Sequence, residues 1–322
     1  MDLKNKKVLV TPTSFGKNNQ KIIENLESSV GEVIYNKTGK PLSAEALMEL
    51  IPGVHGYIAG LDTISSDVID SADSLQVISR YGVGYDNVDL SSASKKNIVV
   101  TNTPGANSVS VAELALASML ALARHMPTAI QSTKKGEWPR TNGLSLEGKT
   151  IAILGLGAIG KQLAKRLSAF DCQILAYDPF PDNHFASQYQ VNMLSMEEIL
   201  PQADFISIHI PLNPKTQKMV NASFLDQVKQ GVLIINTSRG ELIDEQALLK
   251  AIRSGKVSGA ALDAFSQEPP DPNNELLQLP QVIVTPHMGA HTDGATNNMG
   301  WMATRDCLAV LNGEEPLFPI KQ

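Results

Sequence analysis

The sequence predicts an α/β protein in which parallel sheets are covered by helices on both faces. Its 322 residues suggest two domains at about 150 residues per domain. Short β-branched runs alternate with helical patterns along the first hundred residues, as buried parallel strands and their crossover helices do. A polar stretch and a second alternating series follow, which indicates a second α/β unit.

Composition excludes several classes of protein. The chain is 43% hydrophobic and 19% charged, with a net charge of −6, so neither disorder nor a lipid environment is indicated. Its basic residues form no block interleaved with aromatic residues, so no nucleic acid partner is predicted. The longest apolar stretch, 111–123, contains Glu113 and is too short for a membrane span. A small molecule is therefore the expected partner.

The N-terminus and the cysteines indicate a soluble, cytoplasmic chain. Pro12 interrupts the apolar run at 8–10 too early for a signal peptide, so that run is predicted to be a first buried strand. Cys172 and Cys307 cannot form a disulfide framework and lack the spacing of a metal or redox site. Both cysteines are expected to be reduced.

The elements of the first unit follow in order. The alternating runs are 7–11, 20–27 (a helix), 32–35, 44–50, 56–59, 68–71, 77–79 and 98–100. A long helix at 108–123 comes next, with Asn107 or Ser108 as its N-cap. Its many Ala and Leu residues predict burial nearly all round, between domains or between subunits.

The second unit begins after the polar stretch 134–148. Its predicted strands are 150–154, 173–177, 205–208, 232–236, 259–262 and 282–285. Six strands in this alternation match a full dinucleotide-binding sheet. The helical segment 292–311 follows a sheet that is already complete, and one interpretation is that the chain returns to the first domain.

A glycine-rich turn, GLGAIG at 155–160, directly follows the strand 150–154 and opens a helix. Gly155 allows the tight turn, Gly157 allows a pyrophosphate to approach the backbone, and Gly160 allows close helix packing. Asp178 ends the second strand 23 residues after Gly155 (178 − 155), where a carboxylate can accept from ribose hydroxyls. A purely structural turn is the alternative. No Arg or Lys follows Asp178 at 179–181, so NAD is favoured over NADP.

Three polar residues follow later strands of the second unit, where ligands bind in open α/β sheets. They are Arg239 after 232–236, Glu268 after 259–262 and His287 after 282–285. Taken singly, each is explained more simply by an ion pair, a solvated turn or a structural histidine. His287 and His291 have the spacing of a metal pair, but no third ligand is evident and no metal is predicted.

The ordered motifs resemble the D-isomer-specific 2-hydroxyacid dehydrogenases, and especially their phosphoglycerate dehydrogenase-like branch. The matching pieces are RYGVGYDNVD at 80–89, GLGAIG at 155–160, HIPL at 209–212 with Thr216, NTSRG at 236–240, DAF at 263–265 with Glu268-Pro269, and PHMGA at 286–290. Together they span nearly the whole chain, which makes a chance match implausible.

The resemblance implies two Rossmann-like domains. A flavodoxin-like substrate domain would combine 1–101 with 288–322, and an NAD-binding Rossmann domain would comprise 102–287. The catalytic cleft would lie between the two domains. The resemblance also implies a homodimer formed through the nucleotide domain, which would cover the apolar helix 108–123.

The resemblance assigns roles to residues. His287 would be the general acid for ketone reduction, Glu268 would orient it, and Arg239 would bind the substrate carboxylate and polarise its carbonyl. Arg80 and the backbone of Val83 and Gly84 would bind the substrate as well. The cofactor contacts would come from these residues: Gly155, Gly157, Ala158, Ile159, Gly160, Asp178, His209, Pro211, Thr216, Thr237, Ser238, Asp263 and Gly289.

The substrate is where the chain departs from the phosphoglycerate branch. Arg80 matches one phosphate-binding position, but Gly60 stands where a second Arg is expected. Lys17 or Arg140 could substitute for it. The chain also shows no C-terminal regulatory domain, so feedback by serine is not expected.

Other functions stay open at this point. A phosphoglycerate dehydrogenase-like activity is the first hypothesis, and a glyoxylate or hydroxypyruvate reductase is the second. Some relatives are NAD-binding co-repressors that keep the same three residues, although this chain shows no tail for a partner. Formate dehydrogenases resemble the chain too, but they carry Gln at the position of Glu268.

Overall fold

The computed structural model describes residues 3–321 and divides the chain into two compact units. The first unit runs to Asn107 and resumes at Ala290, and the second unit is Ser108–Gly289. The divisions predicted from the sequence were 101/102 and 287/288. The segment after 101 stays with the first unit because the Thr103 N–H donates to the Gly82 carbonyl at 3.0 Å and Ala106 lies in the first unit's core.

Twelve strands and twelve α-helices are formed within residues 3–321. The strands are β1 Lys7–Val10, β2 Glu32–Tyr35, β3 Gly56–Ala59, β4 Val77–Arg80, β5 Val99–Thr101, β6 Thr150–Leu154, β7 Gln173–Tyr177, β8 Val191–Met193, β9 Phe205–Ile208, β10 Val232–Asn236, β11 Val257–Leu262 and β12 Val282–Val284. The helices are α1 Gln20–Ser29, α2 Ala44–Leu50, α3 Ser66–Ser71, α4 Leu90–Lys95, α5 Ser108–Ala123, α6 Met126–Lys134, α7 Ala158–Leu167, α8 Asn183–Gln188, α9 Met196–Ile199, α10 Ala222–Gln227, α11 Glu245–Arg253 and α12 Asp293–Leu311.

The first unit is built on a parallel sheet with the strand order β2-β1-β3-β4-β5. Helix α12 packs on β3 and β4 beside α1, so the segment after residue 290 completes this unit's core. Thr292 caps α12, because its side chain accepts from the Ala295 N–H. Thr101 of the edge strand β5 forms an antiparallel bridge with Pro319.

The second unit is a parallel sheet with the order β12-β11-β10-β9-β6-β7-β8. Along β6, Ile151 and Ile153 face one hydrophobic core while Ala152 and Leu154 face the other, so both sides of the sheet are buried. The α/β class with parallel sheets is confirmed. The prediction of six strands is wrong, because β8 adds a seventh that is too short for alternation to reveal it.

Helix α5 forms where the sequence predicted it, but within the single chain it is buried on one side only, and burial of its other side between subunits stays a prediction. Val109 is 46% exposed and Glu113 is exposed, while Ala112, Ala115 and Met119 are buried against α7 and β10. No single helix within residues 3–321 is long and apolar enough to cross a membrane. Helices α5 and α6, bent by 62°, meet that length and composition criterion only as a pair.

Strand order determines where a ligand can bind in the second unit. After β6 the chain builds β7 and β8 on one side, and then crosses to build β9 and β10 on the other. The carboxyl ends of β6 and β9 therefore lie at the point where the strand order reverses, which is where open α/β sheets bind ligands.

Candidate active site

The loop after β6 has the geometry of a phosphate-binding turn. Gly155 has φ +97°, and a Cβ there would lie 2.6 Å from the His209 carbonyl oxygen, so only glycine fits. Gly157 is the N-cap of α7 and offers no side-chain cap, and nothing lies within 4 Å of the position that its Cβ would take. Ala158 and Ile159 form the first turn of α7. This helix start is therefore open to an anion.

Asp178 lies just beyond β7 and is tied to the glycine loop. One of its carboxylate oxygens accepts from the Leu156 N–H at 2.8 Å, and the other accepts from the Phe180 N–H at 2.8 Å. Each oxygen keeps a second lone pair, so the carboxylate can also accept from ribose hydroxyls.

The segment after β9 lies against the segment after β10. The Ser238 hydroxyl donates to the Ile210 carbonyl at 2.8 Å, and the Thr216 hydroxyl donates to the Pro211 carbonyl at 2.8 Å. His209 Nε2 lies 2.9 Å from the Ser207 hydroxyl, and burial lowers the pKa of His209 to about 4.

Two buried polar atoms of this edge lack a hydrogen-bond partner in the described structure. They are His209 Nδ1 and Thr237 Oγ1, and both residues were predicted to contact a cofactor. Buried polar atoms nearly always have a hydrogen-bond partner in folded proteins, so these two atoms indicate that a ligand forms hydrogen bonds with them. With the open helix start and Asp178, the residues present fit a dinucleotide.

Arg239 is held at the end of β10 by its own segment. The buried Asn236 side chain donates to the Arg239 carbonyl at 2.8 Å and accepts from the Ser238 N–H at 3.0 Å. One guanidinium nitrogen of Arg239 donates to the Ser238 carbonyl at 2.9 Å. Asn236 had no predicted role, although Asn at the end of a strand is a known signal for such a turn.

Glu268 and His287 are brought together from two different loops. His287 Nδ1 lies 2.8 Å from one Glu268 carboxylate oxygen and 3.0 Å from the other. The Phe265 N–H donates to the same carboxylate at 3.1 Å. The two side chains are 26% exposed at His287 and 35% exposed at Glu268, so the pair is accessible to a substrate.

The pKa of Glu268 shows how this pair is tuned. Burial raises the pKa of the carboxyl, but contact with His287, the Phe265 N–H and the nearby charge of Arg239 lower it, and the net shift is downward. Glu268 therefore stays ionised at neutral pH as the acceptor for His287 Nδ1–H. This leaves His287 Nε2 as the ring nitrogen that is not committed to Glu268.

Asp263 braces the turn that carries His287. Its carboxylate accepts from the Thr285 hydroxyl at 2.6 Å, the Met288 N–H at 2.9 Å and the Gly289 N–H at 2.8 Å. His287 itself has φ +51°, an unusual conformation for a residue with a side chain. Asp263 and Gly289 were both predicted to contact a cofactor. In the structure the Gly289 N–H donates to the Asp263 carboxylate.

The predicted substrate residues of the first unit lie at the carboxyl end of β4. Arg80 is only 3% exposed, and its guanidinium donates to the carbonyls of Ala59, Gly60 and Gly84. The Val83 carbonyl accepts from the Asn102 side chain at 2.8 Å. The substrate-binding roles of Arg80, Val83 and Gly84 stay predictions.

A metal centre has no support within residues 3–321, where no three His, Cys, Asp or Glu side chains group together. The chemistry of the second unit's edge is instead that of a carboxylate–imidazole pair beside an arginine and a dinucleotide motif. This combination is that of a dinucleotide-binding domain with an acid–base pair at the same sheet edge.

Comparison with known proteins identifies the family. The model for the D-isomer specific 2-hydroxyacid dehydrogenase, NAD binding domain, matches residues 116–289, over half of the chain. The hydroxypyruvate reductase of Thermotoga maritima is 40% identical over 286 residues, which cover 85% of this chain and 92% of that protein. The chain belongs to the D-isomer specific 2-hydroxyacid dehydrogenase family, and its cofactor is NAD.

Other relatives differ in length. The D-3-phosphoglycerate dehydrogenase of Methanocaldococcus jannaschii is 42% identical over 289 residues, covering 88% of this chain and 54% of that protein. The chain thus spans about half the length of the phosphoglycerate dehydrogenases that it matches. The structure of a D-lactate dehydrogenase from Treponema pallidum is 30% identical, with a TM-score of 0.80 over 98% of this chain and 100% of that one.

Proposed function

We propose that the chain is an NAD-dependent dehydrogenase that interconverts a small 2-hydroxy acid and its 2-oxo acid. The contact between Glu268 and His287 Nδ1, at 2.8 Å, carries this proposal, because it leaves Nε2 to exchange a proton with substrate. The second unit would bind NAD and carry the three residues that act on the substrate, and the first unit would supply the other predicted substrate contacts.

His287 performs the proton transfer in this proposal. Protonated at both ring nitrogens, it donates the Nε2 proton to the carbonyl oxygen of a 2-oxo acid, and as neutral imidazole it takes a proton from a 2-hydroxy acid. Glu268 accepts from Nδ1–H throughout, so it fixes the ring orientation and stabilises the imidazolium. NAD, when bound, supplies the two-electron redox chemistry at the C2 carbon of the substrate.

Arg239 binds the substrate carboxylate. Its planar guanidinium offers parallel N–H donors that match the two carboxylate oxygens. The Asn236 bonds to the backbone of Ser238 and Arg239 hold that side chain at the sheet edge. An oriented carboxylate places the neighbouring C2 carbonyl where His287 can reach it.

Two substrate classes follow from the relatives' names. A phosphorylated acid, as in phosphoglycerate dehydrogenases, is the first candidate. An unphosphorylated acid, as in hydroxypyruvate reductases, is the second, and the geometry of Arg80 favours it. The Arg80 guanidinium is buried and donates to three backbone carbonyls. At position 60, where a second Arg would be expected, even a Cβ would lie 3.2 Å from Pro12 Cα, which is tighter than ordinary van der Waals contact.

The test is NADH oxidation with a panel of 2-oxo acids: 3-phosphohydroxypyruvate, hydroxypyruvate, glyoxylate and pyruvate. Turnover of any of them supports the proposed reaction, and the ratio of kcat/KM with and without phosphate decides the class. NADH binding without turnover of any acid would contradict the reaction and favour a co-repressor-like regulator.

We also propose that the enzyme is a cytoplasmic homodimer. Exposed apolar side chains on the second unit support an interface: Val109 and Met126 are each 46% exposed, Ile130 is 47% exposed and Trp138 is 78% exposed. The unpaired cysteines suit a reducing compartment. Light scattering should give twice the chain mass, and Ile130→Asp should shift the particle towards the chain mass. A monomeric wild type would contradict this assembly.

A further inference from the structure

Two segments of the second unit interlock beside the reactive pair. We call residues 239–245, which carry Arg239, the arginine segment, and residues 263–275, which carry Glu268, the glutamate loop. They follow neighbouring strands, β10 and β11, and each carries a catalytic candidate. What holds the two segments together therefore determines where Arg239 and Glu268 lie relative to each other.

The first point of contact is Gly240. A Cβ at this position would overlap the backbone of Phe265 and Ser266, so the two backbones touch directly. Phe265 is also the residue whose N–H donates to the Glu268 carboxylate, at 3.1 Å. The Glu268 carboxylate is therefore hydrogen-bonded to Phe265, and the Phe265 backbone in turn packs against the arginine segment at Gly240.

The second point of contact is Glu245, in the first turn of α11. One of its carboxylate oxygens accepts from the Ser266 N–H at 3.1 Å and from the Ser266 hydroxyl at 2.7 Å. The other oxygen accepts from the Asn274 side-chain amide at 2.7 Å. One ionised side chain of the arginine segment therefore binds the glutamate loop on both sides of Glu268.

We propose that Glu245 is a positioning residue for the reaction, which acts by holding Glu268 against His287. This inference rests on the proposed function. The Glu245 carboxylate accepts three charge-assisted hydrogen bonds from the glutamate loop. The Glu268 carboxylate accepts a backbone hydrogen bond from the same loop, from the Phe265 N–H. Without the Glu245 carboxylate, the loop can move, and small displacements of catalytic groups have large effects on rate.

The experiment is a double-mutant cycle between Glu245→Ala and Glu268→Gln, with kcat measured on the best 2-oxo acid. Glu245→Ala alone should lower kcat about tenfold, while the dissociation constant of NADH stays unchanged. In the Glu268→Gln background the same substitution should have no further effect, because Glu245 acts through Glu268. Glu245→Gln should restore most of the loss, since its amide oxygen still accepts from Ser266.

Gln246→Ala, an exposed neighbour on the same helix turn, is the matched control and should leave kcat unchanged. If Glu245→Ala does not fold, Ser266→Ala takes its place in the same cycle. Additive losses, or an unchanged kcat in Glu245→Ala, would overturn the positioning role while the wild type still turns over. A wild type that reduces no 2-oxo acid would instead refute the proposed function.

Discussion

The two units end their parallel sheets in opposite ways, although both place charged residues at the carboxyl edge. In the first unit, Asp62 and Arg80 are 1% and 3% exposed. In the second unit, Glu268 and His287 are 35% and 26% exposed and lie 2.8 Å apart. The second edge buries one charge as well, since Asp263 is 4% exposed, but it also presents an accessible carboxylate–imidazole pair, which the described charges of the first edge do not.

The partners of these charges explain the difference. The Asp62 carboxylate accepts from the Tyr57 hydroxyl at 2.9 Å, the Leu42 N–H at 2.6 Å and the Thr11 hydroxyl. These partners are neutral at working pH, and burial raises the pKa of Tyr57 well above its ordinary value. Asp62 therefore fixes loops, whereas the partner of Glu268 is a histidine that can gain and lose a proton. The same sheet edge can serve structure or chemistry.

The largest effect is expected where the reactive edge is broken. His287→Ala should lower kcat about a hundredfold or more, because the general acid is lost, while NADH affinity changes little. Stopped-flow rates and fluorescence titration with NADH measure the two quantities. His184→Ala, exposed on α8, is the control. Unchanged turnover in His287→Ala would exclude the assigned role.

A smaller effect is expected at the carboxylate-binding residue. Arg239→Lys keeps the charge but loses the planar pair of donors, so kcat/KM for the 2-oxo acid should fall about tenfold. Steady-state kinetics with the preferred substrate test this, with Arg124→Lys, exposed between α5 and α6, as the control. Equal kcat/KM for Arg239→Lys and wild type would show that Arg239 does not bind the substrate carboxylate through paired donors.

The first unit's edge should respond in stability and not in chemistry. Asp62→Asn replaces one carboxylate oxygen, an acceptor, with an amide group that donates. The Thr11 hydroxyl, the Tyr57 hydroxyl and the Leu42 N–H then share one acceptor fewer, so the free energy of unfolding should fall by about 1–3 kcal/mol. Urea unfolding measures this, and Asp67→Asn, exposed on α3, should have no effect. If Asp62→Asn instead changed the pH dependence of turnover and left stability alone, the contrast between the edges would be wrong.

The sequence could predict the reactive edge of the second unit, but not the buried edge of the first unit. Arg239, Glu268 and His287 each follow a predicted strand, and parallel topology gathers strand ends at one edge, so their convergence in the second unit follows from order along the chain. The short strand β8 was missed because three residues carry too little pattern to detect.

Side-chain partners could not be predicted in the same way. Arg80 fits a substrate-binding motif, yet its guanidinium lies on the carbonyls of Ala59, Gly60 and Gly84. Likewise Glu245 begins a helix like many other glutamates, and only the fold places it on Ser266 and Asn274. Such bonds depend on rotamers and on loops that meet in three dimensions, which no local pattern encodes.

The central claim is that an ionised Glu268 beside His287 makes the second edge reactive. The most direct test measures the pH dependence of kcat for 2-oxo acid reduction by rapid mixing, in wild type and in Glu268→Gln. Because the pKa of Glu268 is lowered, the wild type should lose its rate at a lower pH than the pKa of an ordinary glutamate would give, as the carboxyl becomes protonated. Glu268→Gln should have a lower rate with no such acid limb. An identical acid limb in both proteins would contradict the account.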